Sequence, residues 1–281
     1  MKIDTLILAG CSSKGMGYIG SLYAIYEHNL FNMKDIKNII GCSSGSLFGF
    51  MLLLNFNNTM MYKLLQNIDI INLNNFDLND MFINNGIFNN NDIKIFLKTC
   101  LYYKYKLNDI SFIDLYNKTK IKFIVKVYNL SLHKNEYLSY KNNPEMSVID
   151  AIQISTCIPI IFKPIKYNNH YYIDGGISNN IPFLKNKKYD NYLLLYITTI
   201  KNNLKKNNID YENIDYENID YIDYITKLFN VNTLDYKKED KRNIRLIIDL
   251  DITQFSIKHI LNDTILDAYH QTIKHIKKYN L

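Results

Sequence analysis

Apolar residues fall into short runs separated by polar and glycine-rich breaks along this 281-residue chain. Thr5-Leu6-Ile7-Leu8-Ala9 has the length and composition of a buried strand, and Gly10 stops it. Between Gly17 and Asn29 the apolar residues Ile19, Leu22, Tyr23, Ile25 and Tyr26 recur at helical spacing. Ile36 to Ile40 predicts a second short strand, broken at Gly41. Ser46 to Asn55 is apolar nearly all round, which predicts a helix buried inside the domain. The opening therefore reads strand, loop, helix, strand, sharp turn, buried helix. Such a β-α-β-α start implies an α/β fold, a mainly parallel central sheet with helices on both faces.

From Asn57 to Asn91 the chain is asparagine-rich with scattered apolar residues, predicting short helices and loops and offering a candidate lid. Asp92–Leu101 and Ser111–Lys118 read as helices, the second opened by a Ser111/Asp114 capping pattern. Lys122–Leu130 reads as a strand. Met146–Cys157 reads as a helix with Ser147 as its N-cap, Asp150 three places on and Pro159 just past its end. Tyr167–Asp174 fits a hairpin that turns at Asn168-Asn169 and runs into Gly175-Gly176. Tyr192–Thr198 is another buried strand. Residues 209–225, "IDYENIDYENIDYIDYI", repeat every five residues, a period that matches neither helix nor strand. They read as a low-complexity surface insertion within about 201–243, or as an acidic, tyrosine-rich arm for a partner or a membrane. Arg245–Leu250 reads as a late strand, and Ile257–Tyr279 as a closing helix with lysines where its dipole favours them. One domain spanning 1–281, closed by the strand and helix of 244–281, accounts for all of this.

Composition adds limits. The apolar fraction of 47% and charged fraction of 21% are ordinary for a globular chain. Leu47–Leu54, interrupted by Gly49, is far shorter than the ~20 residues a membrane-spanning helix needs. Met1-Lys2-Ile3-Asp4-Thr5 does not resemble a signal peptide, so a cytoplasmic protein with peripheral membrane contact is expected. Four cysteines without C-x-x-C spacing point to reduced thiols and away from zinc. The net charge of +6 is carried by dispersed lysines, with Arg242 and Arg245 the only arginines. That pattern suits a solvated surface, or weak attraction to anionic lipid. No nucleic-acid motif accompanies it.

The letters Gly-Cys-Ser-Ser occur twice, at Gly10–Ser13 and at Gly41–Ser44. The second copy continues to Gly45 and fits G-x-S-x-G with Ser43 at the centre. A strand that turns abruptly into a helix exposes the central side chain in a strained conformation, and Gly41 and Gly45 make room for the crossing. The helix that follows aims free N–H groups at the reacting oxygen. Cys42 is the better intrinsic nucleophile but flanks the apex, as does Ser44, whose N–H is placed to stabilise an oxyanion. A serine needs a base. Of His28, His133, His170, His259, His270 and His275, none sits in a loop with an evident partner, and the last three fall on the closing helix. Only one strand and one helix precede the strand of Ser43, which disfavours the Ser-Asp-His order of α/β-hydrolases. Asp174, ending a strand before Gly175 and Gly176, offers another base; D-G-G alone is only a turn signal.

The run "SVIDAIQISTCIPIIFKPIKYNNHYYIDGGISNNIPF" resembles the second signature of patatin-like phospholipases. Its marks are Ala151, Ser155 and Pro159, then Phe162 and Pro164, then Asp174-Gly175-Gly176 with Asn180 and Pro182. The glycine-rich loop Gly10–Gly15 and the elbow Gly41–Gly45 resemble the first half of that family, so the likeness spans roughly 3–198. The resemblance implies a three-layer patatin-like sandwich and a Ser–Asp dyad in which Ser43 attacks an acyl ester and Asp174 is the base. It implies backbone oxyanion donors near Cys11, Ser12 and Ser13, with Lys14 at the family's basic position. It implies phospholipid or other lipid-ester substrates, and a dyad that needs no metal or cofactor. The chain departs from the family pattern at Cys11 and Ser12, where the family has glycine. A catalytically silent lipid-binding protein on the same fold is the alternative.

Overall fold

Strand β1 (Thr5–Leu8) is buried at all four positions, as a strand covered on both faces must be. In a computed structural model that describes residues 2–65, 86–88, 90–183, 189–198, 240–248 and 261–281, it lies inside a mixed sheet. After a 3-10 turn (Ser12–Met16) come α1 (Gly17–Glu27), β2 (Asn38–Cys42), α2 (Ser44–Leu53), α3 (Asn58–Leu65) and β3 (Gly86–Phe88). Then follow α4 (Asn91–Tyr105), α5 (Phe112–Thr119), β4 (Lys122–Asn129), β5 (Lys134–Leu138) and α6 (Val148–Ser155). β6 (Ile160–Phe162), β7 (Ile165–Tyr167), β8 (His170–Asp174), β9 (Tyr192–Thr198), β10 (Asn243–Ile247) and α7 (Leu261–Tyr279) complete the order.

The expected capping residues are in place. Ser111 accepts from Asp114 N–H, and Ser147 from Asp150 N–H. Asn168 and Asn169 both adopt positive φ, 43° and 64°, as the two central residues of a type I′ hairpin turn must. β5 was not expected, because its outer positions are polar and exposed and so carry no period-2 signal. The 209–225 repeat, most of the candidate lid, Asp249-Leu250 and the start of the closing helix lie outside the described residues.

β10, β9, β1, β2 and β4 pair in parallel, in that order. β5 and β8 both pair antiparallel with β4, and β7 with β8. β4 has two edges, and the register assigns them. Val125 and Lys126 pair with β2 on one side and β5 on the other, while Val127 to Asn129 pair with β5 and β8. β8 therefore occupies the same edge as β2. The two strands run toward each other along β4, β2 ending opposite Lys126 and β8 ending opposite Val127. This junction brings residue 43 to residue 174.

Alternation divides the core. Leu6, Leu8, Ile39, Phe123, Val125, Leu193 and Leu195 share one cluster with the buried faces of α1, α2, α4, α6 and α7. Ile7, Ala9, Ile40, Ile124 and Leu194 point the other way, against Ile181, Phe183, Tyr189 and Tyr137. Among the described residues the helical layer is on the first face; the β9–β10 connection, apart from its end, lies outside them. α7 docks on α1 through Gly20, where a Cβ would lie 1.9 Å from the Ile265 carbonyl oxygen. Among the described residues no helix is long and apolar enough to cross a membrane.

Candidate active site

Ser43 ends the sheet and begins a helix in a single residue. Its φ of 50° and ψ of −128° are outside the ordinary regions for an L-residue, a conformation that costs on the order of 1–3 kcal/mol. Neighbouring groups hold it there. Ser43 N–H donates to Ser155 Oγ at 2.8 Å, and that hydroxyl donates to the Lys126 carbonyl at 2.7 Å. Ser46 Oγ donates to the Ser43 carbonyl at 2.6 Å. The first turn of α2 crosses the end of β1 so closely that a Cβ on Gly45 would lie 2.2 Å from the Leu8 carbonyl oxygen. Ser43 is 6% exposed.

Asp174 arrives from the opposite end of the junction, 5% exposed. The Ser43 hydroxyl is near enough to act on its carboxylate and favours the ionised form. Gly176 N–H donates to Oδ1 at 2.6 Å, and Asp174 N–H donates to the Cys157 carbonyl at 2.8 Å. Burial pushes the carboxyl up to about 6, against the opposing pull of the Ser43 hydroxyl, the Gly176 amide and the Lys126 ammonium. A carboxylate of that basicity beside a hydroxyl can take a proton from it near neutral pH.

The first Gly-Cys-Ser-Ser copy lies against this pair. A Cβ on Gly10 would lie 3.2 Å from Ser43 Cβ. Cys11 has φ −156°, which any residue adopts, while Ser12 carries the positive φ of 52°. Replacing the family's glycines therefore strains one position, by roughly 1 kcal/mol, rather than two. The expected amides divide. Gly10 N–H donates to the Asn180 carbonyl, Lys14 N–H to the Cys11 carbonyl and Cys11 N–H to Ser44 Oγ at 3.1 Å. Ser12 and Ser13 N–H, in the first turn of the 3-10 helix, and Ser44 N–H, in the first turn of α2, have no intrahelical acceptor. Ser12, Ser13, Ser43 and Ser44 line a cleft together with Thr156 and mainly apolar side chains, including Met16, Leu47, Phe48, Ile93 and Phe162. Its enclosed volume is about 80 Å³, and it opens to solvent. Gly15 lies on the cleft wall, and Lys14 is buried behind it.

The rival groups are placed elsewhere. Cys42 is fully buried, and burial pushes its thiol well above the ordinary range; the Cys11 thiol is pushed up to about 11. Neither is a thiolate near neutral pH. Among the described residues the hydrogen bonds of Ser43 and Asp174 involve no histidine. His28 faces the Ala24 carbonyl and His275 the Lys241 carbonyl, and His259 lies outside the described residues. Lys126 was missed by the motifs. Its signal was a charge between Val125 and Val127 in a strand expected to be buried, where a lysine requires a partner.

A family model described as patatin-like phospholipase matches residues 6–185. Probable lipid hydrolase 463L of Invertebrate iridescent virus 6 is 31% identical over 213 residues, covering 72% of each chain. Uncharacterized protein R571 of Acanthamoeba polyphaga mimivirus is 24% identical over 184 residues, covering 64% of this chain and 60% of its own length. Among solved structures, VipD from Legionella pneumophila superposes with a TM-score of 0.60 at 15% identity, covering 99% of this chain and 67% of that one. The type III effector ExoU of Pseudomonas aeruginosa gives 0.51 at 12% identity, with 100% of this chain and 54% of that one covered. At such identities the structural likeness is one of fold.

Proposed function

Since the chain belongs to the patatin-like phospholipase family, we propose that it is a lipid acyl hydrolase that cleaves carboxylic esters of phospholipids through a Ser43–Asp174 dyad. The observation that carries this reading is the meeting of β2 and β8 on one edge of β4, which brings Ser43, on the wall of an apolar cleft, to a buried, basic Asp174 carboxylate. Asp174 takes the Ser43 proton as Oγ attacks the acyl carbonyl. The oxygen that becomes negative is met by N–H groups of Ser12, Ser13 and Ser44. Donors placed in advance of the charge stabilise such an intermediate without reorganising, and each is worth roughly a hundredfold in rate. As the intermediate collapses, the ester C–O bond breaks and Asp174 returns its proton to the departing alcohol. Asp174 then deprotonates a water, which attacks the acyl-Ser43 carbonyl. Ser43 regains its proton and a fatty acid leaves. The apolar lining of the cleft suits the acyl chain, whose burial contributes about 0.8 kcal/mol per methylene.

One observation favours a second reading, a silent lipid-binding protein: the Cys11 amide is already occupied by Ser44 Oγ, leaving fewer donors in the loop. Fatty-acid release from defined phospholipid vesicles separates the two. Release by the intact chain that falls at least about a thousandfold in Ser43→Ala is expected. Vesicle binding without release, over a range of pH and lipid, contradicts the hydrolase.

A further inference from the structure

The edge of β4 that β2 and β8 share also fixes what lies beyond the site. β4 continues past Lys126, where β2 ends, to Asn129. β8 comes the other way, with Tyr172 opposite Asn129 and Asp174 opposite Val127. Leu130 N–H then donates to the Tyr171 carbonyl at 2.8 Å. At about 3.3 Å per residue, Leu130 and Tyr171 stand roughly 10–13 Å beyond the Ser43–Asp174 junction, at the end of the sheet toward which β2 points.

Three large apolar side chains are exposed there: Leu130 at 37%, Leu132 at 47% and Tyr171 at 47%. The turn that carries the leucines is tied down. Asn129 is fully buried; its Oδ1 accepts from Leu132 N–H at 3.0 Å, and its Nδ2 donates to Glu136 at 3.0 Å. Tyr171 N–H donates to Ser131 Oγ at 2.8 Å. A single exposed leucine is ordinary. Three large apolar groups on two segments bonded to each other form a patch of the kind that marks an interaction site.

Charge selects the occupant. Lys166 Nζ stands 5.9 Å from the centre of the Tyr171 ring, and Lys134 follows Leu132 by two residues. Lys134 pairs with Glu136 at 3.3 Å, while Lys163 and Lys166 form no ion pair among the described residues. No Asp or Glu occurs in 115–135 or in 151–173. Leucines and a tyrosine flanked by lysines match an anionic lipid surface: leucine enters the headgroup boundary, tyrosine sits at its level and lysine meets the phosphates. We propose that the β4–β5 turn and the start of β8 are the surface by which this protein docks on anionic phospholipid, with Leu130, Leu132 and Tyr171 entering it. Docking there turns the end of the sheet that carries Ser43 toward the lipid. The consequence for hydrolysis rests on the Ser43–Asp174 reading; the docking itself does not.

The chain has no tryptophan, so Leu132→Trp places a lone reporter in the turn. With vesicles of equal parts phosphatidylcholine and phosphatidylserine, its emission moves to shorter wavelength and is quenched by lipids brominated on their acyl chains. Leu130→Ser/Leu132→Ser binds the same vesicles about tenfold more weakly or worse. It releases less fatty acid from them, while its kcat/KM on a soluble ester stays within about twofold of the intact chain's. A tryptophan emission that the vesicles neither shift nor quench overturns the proposal, as does undiminished binding by the double serine variant. An equal response to phosphatidylcholine alone overturns the choice of an anionic surface. Shift and quenching without hydrolysis of either substrate uphold the docking and remove the hydrolase, so the two failures are distinct.

Discussion

Ser43 holds a backbone conformation that serine does not adopt unaided, and Asp174 holds a carboxyl away from the water that would lower its pKa. In the proposed mechanism both departures serve one proton transfer. A carboxylate proposed as the base works only when ionised, and burial pushes the pKa of Asp174 up to about 6. Activity is thus present above that value and lost as the pH falls through it. A pH profile of kcat/KM on a soluble ester is expected to show an acid limb near pH 6. A limb near pH 4, the ordinary carboxylate range, would mean that Asp174 is not the titrating group. Cys11 and Ser12, where the family carries glycine, prove unequal: Cys11 sits in extended backbone, and Ser12 alone takes positive φ.

At the scale of elements, β1, α1, α2, the Asn168-Asn169 hairpin and the Ser147-capped helix were all legible, because each carries a local signal of period, cap or turn. What was not legible is non-local. Nothing in the run from Lys122 to Asn129 says that β2 and β8 share one edge of β4, yet that sharing brings Ser43 to Asp174. The motif residues were readable through family resemblance. Lys126 was not, since burial of a strand lysine depends on the loop laid over it. Ser155 ties the three elements of the site together, α6 to the elbow and to β4. Ser155→Ala leaves a buried N–H and a buried carbonyl without that partner, each costing about 1–3 kcal/mol. A lower urea midpoint together with reduced hydrolysis is expected. A variant as stable and as active as wild type would show that Ser155 only fills space.

The whole molecule adds a charge of +6 spread over lysines to a mainly apolar cleft. Screening weakens the attraction between such a surface and anionic lipid within about one Debye length, roughly 8 Å at physiological salt. Hydrolysis on anionic vesicles is therefore expected to fall as salt rises, while hydrolysis of a soluble ester changes little; equal salt responses would exclude an electrostatic approach to lipid. The fold is shared with VipD and ExoU at 15% and 12% identity, so it constrains architecture and leaves the substrate to be found by assay. The central claim is narrower, that one hydroxyl on this fold is the nucleophile. Mass-spectrometric mapping of a fluorophosphonate adduct on the intact chain at neutral pH tests it most directly. The account predicts a single adduct on Ser43, absent in Ser43→Ala and strongly reduced in Asp174→Asn. An adduct that persists in Ser43→Ala, or maps to Cys42 or Ser44, would contradict it.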